Sequence, residues 1–467
     1  MRWGDIKASF RDFWNEFKRV KFGIVGLILL FAFIIILLVE PYITPFPDAS
    51  SRWRDITYWQ DNPNSVPPIW INWFSSKKRA PSTTLKGHDF SEKQVGKMKI
   101  IETIFTYNYA YDLPPVDIIF HGKIKGSSTI MLSLERPDGS KVDLVRKSIS
   151  TGDRGNVRVS IDKNSKIKAY NFGSRYDTPE NRARLTRDIA EPTKILFAKA
   201  KKGILINPEP LKGAYKIKAT IILPNENSAI DNLHLSISGR VSGLLGTDNS
   251  KRDIWSGVIA GMKWAFLIGL LTAVVSVSVG VVYGVMSAYL GGWKDSLMQR
   301  IFEIFVSVPL LPVLIVMSAV FKPNIWILIG MMSCFFWVGP VKTVRSMGLQ
   351  IKEETYIEAS RAVGASSGRI IFKHMVPLLI PYAFASMALY VPNAIVYEAT
   401  ISLLGLGDAT IVTWGQILHD ALTGGAVING LWWWVIPPGI AIALMGMTFA
   451  FIGFAMDTIL HPKLRTR

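Results

Sequence analysis

Six uncharged or weakly charged apolar runs punctuate the chain, at residues 22–39 and at about 264–290, 300–321, 324–341, 375–398 and 433–456. Each approaches or exceeds the ~20 residues that an α-helix needs to cross a ~30 Å hydrocarbon core. The first, FGIVGLILLFAFIIILLV, is too long for a signal-peptide core and no small-residue cleavage site follows it, so it is expected to stay as an anchor. Between residues 48 and 244 the pattern changes to that of a water-soluble domain. MKIIETIFTY, VDIIFHGKIK, STIMLSLERP, KVDLVRKSI, NVRVSID, YKIKATIIL and LHLSISGRV are short, β-branched and in several cases alternate with period two. Pro137-Asp138-Gly139 and Gly152-Asp153 supply turn chemistry between them, and Asp138-Gly139 marks a hairpin. Residues 177–202 carry a helical pattern broken at Pro192. The expected architecture is an α-helical polytopic membrane protein with an inserted β-rich, sandwich-like domain.

Charge orients this arrangement. Residues 1–21 form a short segment with Arg2, Lys7, Arg11, Lys18, Arg19 and Lys21, and the 459–467 tail carries Lys463, Arg465 and Arg467. The loop 342–374 holds six basic residues against three Glu, whereas 399–432 has no Lys or Arg. Positive charge collects on the cytoplasmic side of membrane proteins, so six spans place both termini inside and residues 48–244 outside the cytoplasm. The net charge of +18 comes mostly from that soluble segment. It is unaccompanied by a basic helix, a zinc-ligand spacing or an RNA-binding signature, so nucleic acid is not an expected partner. One cysteine, Cys334, excludes a disulfide framework. No catalytic triad, metal-ligand cluster or paired carboxylates can be defended from spacing. The aromatic group Trp53, Trp59, Trp70, Trp73 and Phe74 fits either a ligand or partner contact, or packing against the membrane surface or the domain's own core. Glu303 and Glu398 are the ionisable residues of note inside spans, expected to snorkel toward headgroups from near the span ends.

Three polar stretches carry the candidate chemistry. Tyr356–Pro381, YIEASRAVGASSGRIIFKHMVPLLIP, reads as a helix stopped at Gly364, a small-residue turn and a second helix, lodged between two spans. Small residues at its centre leave the backbone accessible to another surface. LLGTDNSKRDIWSGVIAGMKWA reads as a polar turn followed by an interfacial helix over residues 254–264, the whole segment covering 245–263 before the span that starts at 264. SLLGLGDATIVTWGQIL is glycine-rich but lacks a Walker lysine, so it is not a nucleotide site.

The first stretch resembles the EAA loop of importer-type ABC permeases, with Glu358, Ala359, Gly364 and Pro377 in register. Ser360 stands for the second Ala, while His374 and Val376 stand at the Ile and Leu positions. The second resembles the LGTD…GRD segment of the dipeptide/oligopeptide/nickel subfamily, through Gly246, Thr247, Asp248, Arg252 and Asp253, with Lys251 where Gly is usual. The third resembles its SFLGLG…WG segment through Gly405, Gly407, Trp414 and Gly415. The ending resembles its D-x-LDPRLR tail through Asp457, Pro462, Leu464 and Arg465. The resemblance is to the C-type inner-membrane subunit and covers 245–467, leaving 48–244 unaccounted for.

The resemblance implies a type I ABC importer permease fold of six transmembrane helices, the permease core running over 264–458 with the EAA-like loop at 356–377. It implies a non-catalytic subunit that carries di- or oligopeptides, with oligosaccharides or nickel as alternatives. A second permease would complete a heterodimer. Two cytoplasmic ATPases would bind ATP and Mg, none of which this chain holds, and an extracytoplasmic binding protein would deliver substrate. Docking on the ATPase would fall to Glu358, Ala359, Ser360, Ala362, Gly364, Ala365 and Pro377. Glu358 is then the polar contact, Ala359 and Ala362 the close-packed face, and Gly364 the turn. A secondary transporter would need midplane charges or paired broken helices in related halves, and neither is present in the sequence. A membrane-anchored receptor or scaffold leaves five further spans unexplained.

Overall fold

The computed structural model describes residues 14–150, 155–224, 228–321 and 324–460. Arg2, Lys7, Arg11, the Gly152-Asp153 turn and tail residues Pro462, Lys463, Leu464, Arg465 and Arg467 lie outside the described residues. The chain divides into two compact units, one formed by its two ends and the other by residues 55–255.

The first unit is helical. Its principal helices are α1 (Lys21–Leu38), α2 (Ile254–Leu290, whose first turn belongs to the second unit), α3 (Gly292–Ser307), α4 (Leu310–Val320), α5 (Ile325–Phe336), α6 (Val338–Lys352), α7 (Thr355–Ala362), α8 (Ile380–Leu403), α9 (Trp414–Thr423) and α10 (Trp432–Leu460). Among the described residues five helical courses are long and apolar enough to cross a membrane: 21–38, 254–290, 325–352, 367–403 and 432–459. The run at 300–321 is instead a broken pair, α3 and α4, bent by 79°. Pro309 explains the break, because it restricts Val308 to an extended conformation (ψ 123°) and then caps α4. The segment 254–264 is not a separate interfacial helix; it continues without interruption into α2, because the apolar spacing of 254–264 runs on into that of the span.

Glycines set how closely these helices approach. A Cβ on Gly284 would stand 2.8 Å from Val344 Cγ1, and one on Gly269 2.8 Å from Val391 Cγ1. Gly280 lies against the Trp337 carbonyl and Pro340, and Gly23 and Gly26 of α1 abut Ala455 and Ile452 of α10. Association in a bilayer relies on such close packing, since lipid is as apolar as the side chains themselves. Cys334 is exposed on α5.

The second unit is a pair of antiparallel sheets. Its strands are β1 (Thr83–Lys86), β2 (His88–Val95), β3 (Met98–Tyr109), β4 (Asp117–Lys125), β5 (Ser128–Glu135), β6 (Lys141–Ile149), β7 (Val157–Arg158), β8 (Gly213–Leu223) and β9 (Ala229–Ser238). One sheet has the order β1-β9-β4-β7 and the other β2-β3-β8-β5-β6. Inward residues of both meet in one core, where Phe105 of one sheet crosses Phe120 of the other edge to face at 6.3 Å. At Pro137-Asp138-Gly139, Gly139 takes φ +80° and its N–H reaches the Arg136 carbonyl, closing the β5–β6 hairpin. The helical pattern at 177–202 resolves into two short helices, Pro179–Arg184 and Pro192–Leu196, each opened by a proline at its first turn.

Candidate docking site and motif loops

Helix α7 ends in a left-handed residue, Gly364, at φ +85°. The Gly364 N–H reaches the Arg361 carbonyl (2.9 Å) and the Ala365 N–H the Ser360 carbonyl (3.0 Å), the paired bonds of a Schellman turn. Ser366 then caps the next helix by accepting from the Arg369 N–H at 3.4 Å. That helix runs on to Leu403 through a π-turn over Ile370–Met375 and a 3-10 turn over Val376–Leu379. Pro377 has no N–H to give, so the regular ladder cannot pass through it.

This turn forms a projecting knuckle. Glu358, Ala359, Arg361, Ala362, Val363 and Gly364 are exposed, Val363 by 89%. Ala359, Ser360, Gly364 and Ala365 line a cavity of 410 Å³ together with Val363, Arg369 and His374. Four of the seven expected docking residues therefore share one concave surface. Glu358 and Ala362 are exposed beside it, and Pro377 stands apart in the 3-10 turn. Ser360 donates back to the Tyr356 carbonyl at 2.7 Å and so serves its own helix. The knuckle is anchored by a residue that sequence reasoning passed over, Ile357. Its side chain is fully buried among Val277, Val281, Val285 and Tyr289 of α2, Val344 of α6, and Ile370, Ile371 and Met375. Only its place opposite the small-residue face of α7 signals it in the sequence.

Below the same end of α2, Asp295 binds Arg345 through two hydrogen bonds, from Nε at 2.9 Å and from Nη2 at 2.5 Å, and accepts from the Ser287 hydroxyl. Gln299 donates to Ser287 at 2.9 Å. Helices α2, α3 and α6 are thereby braced where the knuckle attaches.

The other motif residues prove to be loop architecture. Thr247 donates to the Pro63 carbonyl (2.9 Å) and accepts from the Val66 N–H (3.2 Å). Asp248, fully buried, accepts from Arg252 Nε at 2.5 Å and from the backbone N–H groups of Ser250 and Arg252, both at 2.8 Å. Gly246 (φ +72°) presents its carbonyl to the Ile254 N–H, fixing the start of α2, and Asp253 bridges back to Thr247. Lys251 itself adopts φ +66°, a conformation suited to glycine. Its Nζ donates to the Gln60 carbonyl at 3.0 Å, and its own carbonyl accepts from Asn62 Nδ2 at 3.0 Å.

In the glycine-rich loop Gly405 (φ +80°) closes α8 with the same turn as Gly364, its N–H to the Ser402 carbonyl and that of Leu406 to Ile401. A side chain there would meet His419 at 2.9 Å. Gly407 lies against Ser402, and Gly415 against the Ala399 backbone. Trp414 is buried and donates to the Val258 carbonyl at 2.8 Å. Glu398 does not snorkel. It is 4% exposed, and its Oε1 accepts from Ser402 Oγ at 2.7 Å and Thr413 Oγ1 at 2.8 Å. One hydroxyl comes from the next turn of α8 and the other from the loop that follows it, and together they replace headgroup contacts. Glu303, by contrast, is largely exposed and paired with Arg300 at 2.9 Å.

Residues 280–466 match the family described as binding-protein-dependent transport system inner membrane component, and residues 9–68 match the N-terminal transmembrane domain of oligopeptide transport permease C. The second match extends the likeness to the first span. A dipeptide transport system permease, DppC, of Bacillus subtilis is 34% identical over 47% of this chain and 68% of its own length. The oligopeptide transport permeases OppC of Bacillus subtilis and Haemophilus influenzae are 35% and 33% identical over 47% of this chain, covering 72% and 70% of theirs. The glycine turns at 364 and 405 and the anchored knuckle fall within the first of these matches. The chain belongs to the binding-protein-dependent inner-membrane permease family, as a non-catalytic multi-pass subunit of the ABC peptide importer type.

Proposed function

We propose that this chain forms half of the translocation pathway of an ATP-driven importer of di- or oligopeptides, moved by ATPases that dock on the knuckle at 356–368. The observation that carries this reading is the pairing of an exposed small-residue socket with a buried anchor in the same short helix. A surface that binds a motor must be open, and a surface that transmits force must be fixed to what it moves. Ala359, Gly364 and Ala365 meet the first condition and Ile357 the second. The peptide assignment rests on the relatives, which are named as dipeptide and oligopeptide permeases.

The complete assembly is a heterodimer with a second permease, two ATPases that bind ATP and Mg, and a binding protein outside. The bent pair α3–α4 counts as one of six spans, both termini lie in the cytoplasm, and the β-domain lies outside it. Closure of the ATPases around nucleotide moves the knuckle, and the braced ends of α2, α3 and α6 follow. Gly364→Arg adds backbone strain at φ +85° and places a long cation at the mouth of the socket. In reconstituted vesicles it abolishes substrate-stimulated ATPase activity while the complex still reaches the membrane; normal stimulation would refute the docking role. Binding of oligosaccharide or nickel, and not peptide, by the partner binding protein would overturn the substrate assignment alone.

A further inference from the structure

The β-domain carries an apolar turn that neither its own core nor the importer reading uses. Residues Ile69–Trp73 form a 3-10 turn running into Phe74. Trp73 is 78% exposed and Phe74 79%, with Ile69 and Leu244 also exposed beside them. Large aromatic side chains so open to solvent lose the favourable burial that ordinarily keeps them inside. The turn is held firmly. The Ile69 N–H reaches the Gly243 carbonyl at 3.1 Å, and Trp70 Nε1 donates to the Leu244 carbonyl at 2.8 Å.

Two observations identify what covers it. The first is continuity with a membrane helix. Gly246, two residues beyond Leu244, accepts from the N–H of Ile254, the first residue of the 37-residue apolar helix α2. The aromatic turn is thus bonded to the strand of chain that leads into a span, within the same compact unit. The second is charge. Lys77 and Lys78 follow the turn after two serines and are exposed, and Lys212 lies close by, bonded at 2.8 Å to Asp112, whose carboxylate also accepts from the Lys78 N–H. Lys78 Nζ donates to the Asn72 carbonyl at 2.8 Å, which holds the basic group against the turn. Exposed Trp and Phe beside lysines make the chemistry of a bilayer interface, the rings among acyl chains and glycerol and the ammonium groups at phosphates.

We infer that the Ile69–Phe74 turn inserts into the headgroup region of the bilayer and that Lys77 and Lys78 select anionic lipid there. The inference holds whichever side of the bilayer the domain occupies, and it does not depend on the substrate carried. The test uses the full chain with Cys334→Ser, in nanodiscs of phosphatidylcholine alone or mixed with phosphatidylglycerol. Trp73→Cys and Phe74→Cys are each labelled with an environment-sensitive fluorophore, and Lys97→Cys, at the exposed β2–β3 hairpin tip, is the aqueous control. Labels at 73 and 74 should shift to the blue, lose emission to lipid-borne bromine and resist aqueous iodide. The effect should be stronger with phosphatidylglycerol, and Lys77→Glu/Lys78→Glu should remove that increment. Iodide quenching equal to that of the Lys97 label overturns the inference. So does protection that arises only when the second permease or a binding protein is added, since a protein then covers the turn.

Discussion

Truncating Ile357 isolates transmission from docking. The side chain is fully buried in a cluster contributed by α2, α6 and the turn that precedes α8, while its exposed neighbours form the socket. Ile357→Val removes one methylene and costs about 1 kcal/mol, and Ile357→Ala removes three carbons and leaves a cavity, for about 3 kcal/mol. At 1.4 kcal/mol per tenfold, the equilibrium that seats α7 on the spans shifts by roughly fivefold for Val and roughly a hundredfold for Ala. The socket, formed by other residues, keeps its chemistry. The assay has two parts on the reconstituted complex: stoichiometric recovery of ATPase subunits, and transport per ATP hydrolysed. Recovery should stay near that of the unaltered protein in both variants, with coupling lowered slightly by Val and almost lost with Ala. Full coupling in Ile357→Ala would refute the anchoring role, and loss of the ATPases at wild-type coupling would place Ile357 in docking instead.

Three further outcomes follow from the loops and the β-domain. Lys251 occupies φ +66°, so Lys251→Gly should alter thermal stability by less than about 1 kcal/mol, strain relief offsetting the lost Gln60 contact, whereas β-branched Lys251→Val should cost about 2 kcal/mol. Glu398→Gln keeps an acceptor for Ser402 and Thr413 and should melt close to the unaltered protein, while Glu398→Ala leaves two buried hydroxyl groups short of a partner and should lose about 2 kcal/mol. Equal melting of the two would show that the hydrogen bonds contribute nothing. Burial holds the His121 imidazole below its ordinary range, opposed by Asp61 at 3.5 Å and reinforced by His234 stacked at 4.6 Å. The unfolded chain then binds more protons, so β-domain stability should be level above pH ~6.5 and fall as pH drops below it, measured by domain melting. His121→Phe should flatten that fall; an unchanged profile assigns it elsewhere.

The legible parts of this chain are those where one force dominates. Strands β3, β5 and β8 alternate because one face is core and the other is not, and their positions follow from the pattern. Strand β2, HDFSEKQV, is an almost wholly exposed edge with no apolar rhythm to mark it, and β1 at four residues is too short to show one. The helix Lys163–Ser174 is not marked by the sequence pattern, because its twelve residues are mostly polar and its N-cap, Asp162, sits in what reads as a strand end. Apolar length marks the membrane helices and Pro309 marks the bend after Ser307, but the unbroken run of α2 from Ile254 depends on local geometry. The glycine stop at 364 is readable as chemistry, whereas Gly405 enters the reading only through the resemblance. That Glu398 would find two hydroxyl partners was not, since Thr413 lies fifteen residues away across a loop whose path only packing determines.

The most direct test places a cysteine at Val363, 89% exposed on the knuckle, in the Cys334→Ser background. In membranes holding the assembled importer, it should form a disulfide with a cysteine introduced in the facing ATPase groove, with a yield that changes on adding nucleotide. It should also resist a membrane-impermeant maleimide applied to intact cells. Labelling from outside the cell, or transport by the purified permease with no ATPase bound, would contradict the claim that this chain is a gate driven from the cytoplasm.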